Sequence, residues 1–234
     1  MLTAFVGAST LSGAQAAVSL DRTRAVFDGG EKSMTMKVSN DNKQLPFLAQ
    51  AWLEDEQGKK ITTGPLVVTP PVQRMEPSAK SMVRVTSTPD ISKLPQDRET
   101  LFYFNLREIP PKSDKPNSMQ IALQTKIKLF YRPEAIKVKN KEVWQEKLVL
   151  TPVSGGYRLQ NPTPYYIIIA GMGGSEALAK EKTGFTAVTL APKSEQTVKA
   201  PPSGTPYLTY INDYGGRLVL AFQCSGGQCT VSKK

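Results

Sequence analysis

Residues 117–132 alternate between apolar and polar side chains over a longer stretch than any other part of the sequence. The apolar positions of the alternation are Met119, Ile121, Leu123, Ile127 and Leu129. The intervening polar positions are Ser118, Gln120, Gln124, Lys126 and Lys128. Because side chains of an extended chain point alternately to the two faces of a sheet, this pattern predicts one half-buried strand. What covers its apolar face is the question that the rest of the sequence must answer.

The sequence before this strand also consists of short apolar runs separated by turn-forming residues. The predicted strands are residues 18–27, 34–38, 48–53, 61–68, 81–86 and 100–109. Asp-Gly-Gly-Glu at 28–31 and Asn-Asp-Asn at 40–42 are typical turn sequences, and prolines at 70–71 cannot donate to a sheet ladder. About seven strands at such spacings are typical of an immunoglobulin-like β-sandwich.

A polar, basic segment with a proline, residues 133–140, separates this region from a second β-rich one. The strands predicted there are residues 142–150, 156–160, 165–170, 185–190, 196–199, 207–212 and 216–224. Residues 175–182 could form one or two helical turns capped by Ser175. We therefore expect an all-β protein with two immunoglobulin-like β-sandwich domains, at residues 17–135 and 136–234.

The sequence contains no histidine among its 234 residues, and this limits the chemistry available to it. Activation of serine or cysteine nucleophiles and most zinc or non-haem iron sites depend on imidazole. Carboxylate pairs could still act as acid and base, but acids such as Glu54, Asp55 and Glu56 lie in polar turns, where a solvated charge is the simpler interpretation. We therefore expect no enzyme, no metal site and no cofactor.

The formal net charge of +10 is compatible with nucleic acid, anionic lipid, an acidic protein partner or no specific partner. The basic residues are scattered along alternating strands, and no basic run interleaves with aromatic residues as a single-strand nucleic-acid platform requires. No apolar run approaches the roughly 18 residues of a membrane-spanning helix. We expect neither nucleic-acid binding nor membrane insertion.

Both ends of the sequence suggest export. Residues 1–16 combine a short apolar run with the small-x-small sequence Ala14-Gln15-Ala16, which is typical of the end of a signal peptide cleaved after Ala16. The basic start of such a peptide is missing, so a misassigned initiator or a disordered N-terminus stays an alternative. Cys224 and Cys229, the two cysteines of the chain, have a spacing that suits a disulfide across a hairpin in an oxidising compartment.

Residues 94–110, with the sequence LPQDRETLFYFNLREIP, resemble a signature of the periplasmic pilus-assembly chaperones of the chaperone–usher pathway. Five further segments are similar to the same family: residues 17–24, 50–52, 69–71, 161–166 and 210–216. The resemblance implies two immunoglobulin-like domains arranged as a boomerang around a cleft. It also implies an ATP-independent periplasmic chaperone that binds pilus subunits by donating a β-strand and delivers them to an outer-membrane usher. Subunits of this kind lack the last strand of their sandwich and expose an apolar groove.

The resemblance also implies roles for particular residues. Arg24 and Lys128 match a pair that binds the C-terminal carboxylate of the subunit. The residues of the implied donor strand are Asn117, Met119, Ile121 and Leu123. Glu99, Arg132 and Asp213 match an interdomain charge network that sets the angle between the domains. Without the resemblance, each of these charges would be interpreted as an ordinary solvated side chain.

Periodicity and resemblance disagree about the first half of segment 117–132. Periodicity alone favours Met119, Ile121 and Leu123 in the core of their own domain. The resemblance predicts instead that Ile121 and Leu123 are exposed in the free monomer, unless a self-capping homodimer covers them. For Ile127 and Leu129 the prediction from alternation stands, and we expect both to be buried. Because Lys128 has the opposite parity, either a twist or bulge would have to lie between it and the donor residues, or the carboxylate would have to be reached from the side. A non-catalytic adhesin or receptor module is the alternative function.

Overall fold

The computed structural model describes residues 16–113, 117, 119–139, 142–181, 184–201 and 203–232, so the predicted leader, apart from Ala16, lies outside the described residues. The first domain contains ten strands: β1 (Val18–Leu20), β2 (Arg24–Asp28), β3 (Ser33–Asn40), β4 (Phe47–Glu54), β5 (Lys60–Ile61), β6 (Leu66–Thr69), β7 (Val72–Met75), β8 (Lys80–Ser87), β9 (Thr100–Ile109) and β10 (Gln124–Arg132). A short 3-10 turn at Pro89–Lys93 lies between β8 and β9, and another at Glu134–Ile136 follows β10.

These strands form two sheets that pack face to face. The first sheet has the order β1-β3-β8-β6, and the second sheet has the order β2-β10-β9-β4-β5, with β7 paired to β4. Alternate residues of both sheets point inward, and Met36, Val38, Val83 and Phe104 are fully buried between them. Because the apolar parity of each strand is covered by the opposite sheet, this domain is the expected sandwich.

Two predicted strands of this domain are divided, and one further strand, β7, was not predicted. Residues 18–27 are two strands in different sheets, because β1 pairs antiparallel with β3 whereas β2 pairs parallel with β10. Residues 61–68 are likewise divided between β5 and β6, and β7 follows the two prolines. Alternation records which face of a strand is buried but does not record which sheet the strand joins, so the sequence could not reveal these changes of sheet.

The long alternating strand is also shorter than predicted, since among its described residues only Gln124–Arg132 form a strand. Asn117 lies in a turn with φ of 57°, and residues 119–123 carry no strand assignment. One backbone bond, from the Glu108 amide to the Leu123 carbonyl at 3.0 Å, extends the pairing by one position. Partner strand β9 ends at Ile109, so residues 119–121 have no described neighbouring strand on which to form a ladder. The burial of Ile127 and Leu129 is confirmed.

The second domain contains eight strands and one short helix. The elements are β11 (Val149–Val153), β12 (Gly156–Asn161), β13 (Ile167–Gly173), α1 (Glu176–Lys180), β14 (Val188–Leu190), β15 (Ser194–Lys199), β16 (Tyr207–Ile211), β17 (Arg217–Ser225) and β18 (Gln228–Val231). Their order is β14-β13-β16-β17-β18-β11-β12-β15. The first half of β17 pairs with β16 and the second half with β18, so this strand belongs to both layers around the core.

Several predicted elements of this domain are confirmed and others are shifted. Helix α1 is capped as expected, with the Leu178 amide donating to Ser175 Oγ at 3.3 Å. The strand predicted from residue 142 begins instead with a 3-10 turn at Trp144–Lys147, and residues 185–187 are not part of β14. Trp144 turns its ring into the core beside Tyr165, so this turn contributes to the core although it is not a strand.

The predicted disulfide between Cys224 and Cys229 is confirmed. The two residues lie directly opposite each other in the hairpin of β17 and β18. Gly226 and Gly227 form its turn with φ values of 60° and 82°, which glycine adopts without a steric penalty. Cys229 is completely buried, so the bridge joins the hairpin to the core.

We expect the variant Cys224→Ser/Cys229→Ser to fold but to lose about 2 kcal/mol of unfolding free energy, because the short loop that the bridge closes gains freedom mainly in the unfolded chain. Urea unfolding of the oxidised protein and the variant measures this difference. Treatment of the oxidised protein with dithiothreitol should reproduce the loss, and treatment of the variant should change nothing. An equal response of both proteins to dithiothreitol would contradict the assignment.

Candidate functional site

The two domains meet on the outer face of the second sheet. Leu101 and Phe130 of the first domain and Ile168 of the second form a buried apolar cluster there. Phe130 also contacts the ring of Tyr166, with ring centroids 5.5 Å apart. Residues nearer the start of β10 on the same face, from Gln124 to Lys128, lie outside this cluster. The face therefore divides into a part covered by the second domain and a part that lies outside this contact.

The three residues of the expected charge network are in contact across the domain boundary. Arg132, at the end of β10, donates from Nε to Glu99 Oε1 at 2.8 Å and from Nη1 to Asp213 Oδ2 at 2.9 Å. Its guanidinium also lies 5.0 Å from the centre of the Trp144 ring. Glu99 and Arg132 belong to the first domain and Asp213 to the second, so one guanidinium joins both.

Glu99 is the most buried member of this network, with 3% of its surface exposed. Its second carboxylate oxygen accepts the backbone amide of Tyr166 in the second domain at 2.7 Å. Burial raises the pKa of Glu99 to about 7, against the opposite effect of Arg132 and the Tyr166 amide. Removal of Arg132 or of Glu99 therefore leaves the other residue with a buried charge that water cannot solvate.

Two further polar contacts between the domains were not predicted. Tyr166 donates its hydroxyl to Glu56 Oε1 at 3.2 Å, and Lys193 Nζ lies 2.6 Å from Asp97 Oδ2. The paired residues are 110 and 96 positions apart, and no local pattern links them. The sequence signal that was available, the resemblance at residues 161–166, includes Tyr166 without indicating its partner.

Arg24 and Lys128, here called the cation pair, are direct neighbours in the parallel ladder of β2 and β10. Both side chains are half-buried, and within the described residues neither forms an ion pair. Arg24 Nη1 donates to the Ile211 carbonyl at 3.4 Å, while its buried Nε has no acceptor. Burial lowers the pKa of both groups, and proximity to Arg24 lowers that of Lys128 further.

Two adjacent cations with a buried, unused donor have the chemistry to hold an anion. An isolated buried N–H group costs free energy, and two like charges side by side repel each other. A carboxylate between them would remove both penalties, because it can accept from a guanidinium and an ammonium together. The cation pair is thus incomplete by itself and is suited to a terminal or side-chain carboxylate.

The edge of β10 is open beside the cation pair. Strand β2 pairs with β10 from Lys128 to Arg132, so residues from Gln124 to Ile127 have β9 on one side and no described strand on the other. Before them, Met119, Ile121 and Leu123 expose 88%, 67% and 36% of their surfaces, and this confirms the expected exposure of the latter two. The open edge, meaning residues 119–127 on the side away from β9, combines unpaired backbone with exposed apolar side chains.

Other kinds of site are not evident in the part of the chain that the structure describes. No cluster of three or more acidic, cysteine or histidine side chains is arranged to hold a metal ion there. Among the same residues, no helix has the length and apolar composition needed to cross a bilayer.

Comparison with known proteins gives a consistent result. Residues 17–137 match the family described as pili and flagellar-assembly chaperone, PapD N-terminal domain, and residues 143–221 match pili assembly chaperone PapD, C-terminal domain. The chain is 67% identical to chaperone protein PapD of Escherichia coli over 234 residues, which is 100% of this chain and 98% of that protein. The chaperone SafB, solved in complex with the SafA pilin of Salmonella enterica, is similar in fold, with a TM-score of 0.74, 25% identity and coverage of 90% and 98% of the two chains. The E. coli chaperone DraB has a TM-score of 0.73, 28% identity and coverage of 88% and 98%.

Proposed function

The chain belongs to the family of PapD-like pilus-assembly chaperones, and we propose that it acts in the periplasm as a non-catalytic chaperone that lends the open edge of β10 to pilus subunits. The subunit strand would bind along that edge with its C-terminal carboxylate between Arg24 and Lys128. The complex would then be delivered to an outer-membrane usher.

The observation that carries this proposal is the position of the cation pair at the end of the open edge. Strand β10 runs from the open edge toward Lys128, and a subunit strand whose C-terminus lies at Lys128 runs in the same direction. The added strand would therefore be parallel to β10 and would continue the line of β2, which is already parallel to it. Main-chain hydrogen bonds then supply affinity, and the carboxylate fixes the register.

The exposed apolar residues of the open edge would supply the remaining free energy. Burial of Met119, Ile121 and Leu123 in a subunit groove is worth roughly 1.5–3 kcal/mol for each side chain, before the cost of ordering is subtracted. Because residues 119–123 are not part of a strand here, they can form one on binding. The register of β10 with β9 is unbroken from Gln124 to Tyr131, so no bulge lies in β10 before Lys128 in the free protein. Asn117, exposed in its turn, lies just beyond.

The charge network would hold the cleft at a fixed angle. Arg24 reaches from β2 to the Ile211 carbonyl in the second domain, two residues before Asp213. Rotation of the domains would therefore move the acceptor that positions Arg24 as well as the Arg132 bridges.

When no subunit is bound, a second copy of the chain could cover the open edge, giving a self-capping homodimer. The alternative of an adhesin or receptor module has no observation in its favour.

Co-expression with a pilin tests the proposal. We expect that a pilin expressed from the same pilus operon is degraded alone, persists when this chain is present, and co-purifies with it as a 1:1 complex identified by mass. The variant Ile121→Asp/Leu123→Asp should lose the protection, because two charges cannot enter an apolar groove. The control Leu178→Asp alters a leucine on α1 whose exposure, 52%, lies between those of Ile121 and Leu123, and it should protect normally. Persistence of the pilin with the Ile121 and Leu123 variant would exclude strand donation.

A further inference from the structure

The exposed part of the outer face of the second sheet is organised in rows across its strands. The row at the cation pair continues from Lys128 through Tyr103 and Glu54 to Lys60 on β5. The next row is Lys126, Asn105 and Trp52, and the third is Gln124, Arg107 and Gln50. Directly paired residues share a face of a sheet, so these side chains all lie on the cleft side of the domain.

This surface carries more positive charge than its own acids neutralise. Glu54 accepts from Lys126 Nζ at 2.6 Å and from Trp52 Nε1 at 2.9 Å, so it has one cationic partner. Lys60 and Arg107 lie over the Trp52 ring, at 5.4 and 5.1 Å from its centre. Among the described residues neither of these two cations forms an ion pair, although both are exposed. Excess charge therefore extends from the cation pair across the whole face.

The ring of Trp52 holds the side chains of Lys60 and Arg107 in defined positions. Trp52 is on the outer face of β4, yet only 9% of its surface is exposed. The side chains of Lys60 and Arg107 lie over its ring, and Glu54 accepts a hydrogen bond from its Nε1. A cation over an aromatic ring is held there by the quadrupole of the ring and loses rotational freedom. Arg107 is further fixed by a 2.9 Å bond to Gln124 Oε1 on β10. Ordered, unpaired cations of this kind create a lasting local field.

We propose that Lys60 and Arg107, together with the cation pair, form an electrostatic steering surface for a polypeptide partner that bears excess carboxylates near its C-terminal strand. The inference rests on the proposed function, because its partner is the same subunit that binds the open edge. The steering surface is continuous with the cation pair, so attraction guides the acidic end of the subunit toward the place where the terminal carboxylate of the subunit binds. Attraction of this kind raises the association rate much more than it slows dissociation.

The test compares two variants of equal charge. Lys60→Glu/Arg107→Glu reverses the charges of the steering surface, and Lys37→Glu/Arg84→Glu makes the same change on exposed positions of the outer face of the first sheet. The co-purifying pilin, diluted from denaturant into each protein, serves as the probe, and the rate constant of complex formation is measured at about 50 mM and about 500 mM NaCl. Thermal unfolding verifies that both variants are folded.

We expect the Lys60 and Arg107 variant to bind about tenfold more slowly at low salt and at the wild-type rate at high salt, while the control changes less than about twofold. Equal slowing by both variants would assign the effect to net charge, and unchanged rates would leave the surface without a role in capture; either result overturns the inference. A third result would also overturn the inference: the wild-type protein and the control sediment with phosphatidylglycerol vesicles, the Lys60 and Arg107 variant does not, and the rate of pilin binding is unchanged. That result would assign the surface to lipid. Failure of the wild-type protein to capture the pilin would instead contradict the proposed function.

Discussion

Replacement of Arg24 and Lys128 together by alanine is expected to abolish capture of a pilin. A hydrogen bond to a charged group contributes about 1.5–3 kcal/mol, so the loss of both cations should weaken binding by about a hundredfold to ten-thousandfold. Protection of the pilin during co-expression gives the first readout. The matched control is Arg22→Ala, since Arg22 lies two residues from Arg24 but forms its ion pair with Asp21.

A synthetic strand-forming peptide separates binding of the carboxylate from other effects. The wild-type protein should bind the peptide with a free C-terminus more tightly than the same peptide with a C-terminal amide, and the double variant should not distinguish the two. If the double variant still prefers the free carboxylate, the cation pair is not its binding site.

The same variant should be slightly more stable than the wild-type protein. Arg24 and Lys128 are adjacent like charges in a half-buried position, without an ion-pair partner among the described residues. Removal of such repulsion and desolvation typically raises the unfolding free energy by about 0.5–2 kcal/mol. A gain in stability with a loss of binding is the signature of a site kept for function, whereas a loss of both would indicate a structural role.

Arg132→Met is expected to be the most destabilising single change in the charge network. It leaves Glu99 buried without its cation, and breaking a buried ion pair in this way costs about 3–5 kcal/mol. Urea unfolding should show the loss. Glu99→Gln/Arg132→Met should recover part of it, because the neutral amide can still accept the Tyr166 N–H without an unpaired charge. Arg98→Met, which removes an exposed cation next to Glu99, should have no measurable effect.

The deficit of Arg132→Met should also depend on pH. The folded-state pKa of Glu99 is raised to about 7, so the folded protein holds this proton more tightly than the unfolded chain. Loss of Arg132 removes a cause that lowers this pKa, and the folded-state pKa rises further. A raised carboxyl pKa contributes stability that is present below the unfolded value and is lost as the pH rises through the folded value. The deficit should therefore be larger at about pH 8 than at about pH 5; a constant deficit would contradict the burial of an ionisable Glu99.

The sequence alone was sufficient for the fold class and for the inward faces of most strands. Strand β9 coincides with its prediction, because a long apolar strand in the middle of a sheet has neighbours along its whole length. Residues 119–121 have the same alternation, but no described strand lies beside them, so periodicity predicted a strand that these residues do not form in the described structure. The alternation of a segment shows that it is able to pair as a strand. Whether a partner strand is present depends on the arrangement of the sheet.

The residues of the candidate site also differ in how far the sequence could identify them. Ile127 and Leu129 followed from alternation, whereas Arg24 and Lys128 are ordinary charged strand residues whose proximity depends on the parallel pairing of β2 and β10. Only the resemblance to a family identified them. The contact of Tyr166 with Glu56 and that of Lys193 with Asp97 were missed altogether, because each depends on how two separately folded domains meet.

The membership of β17 in both layers of the second domain determines how that domain can come apart. Neither layer can open without breaking a strand that the other layer also uses, and the end of this strand is bound by the disulfide to β18. Partial unfolding that releases one layer and keeps the other is thereby disfavoured. Hydrogen exchange of the amides of β16 and β18 should consequently follow a single opening free energy, which makes the second domain one cooperative unit.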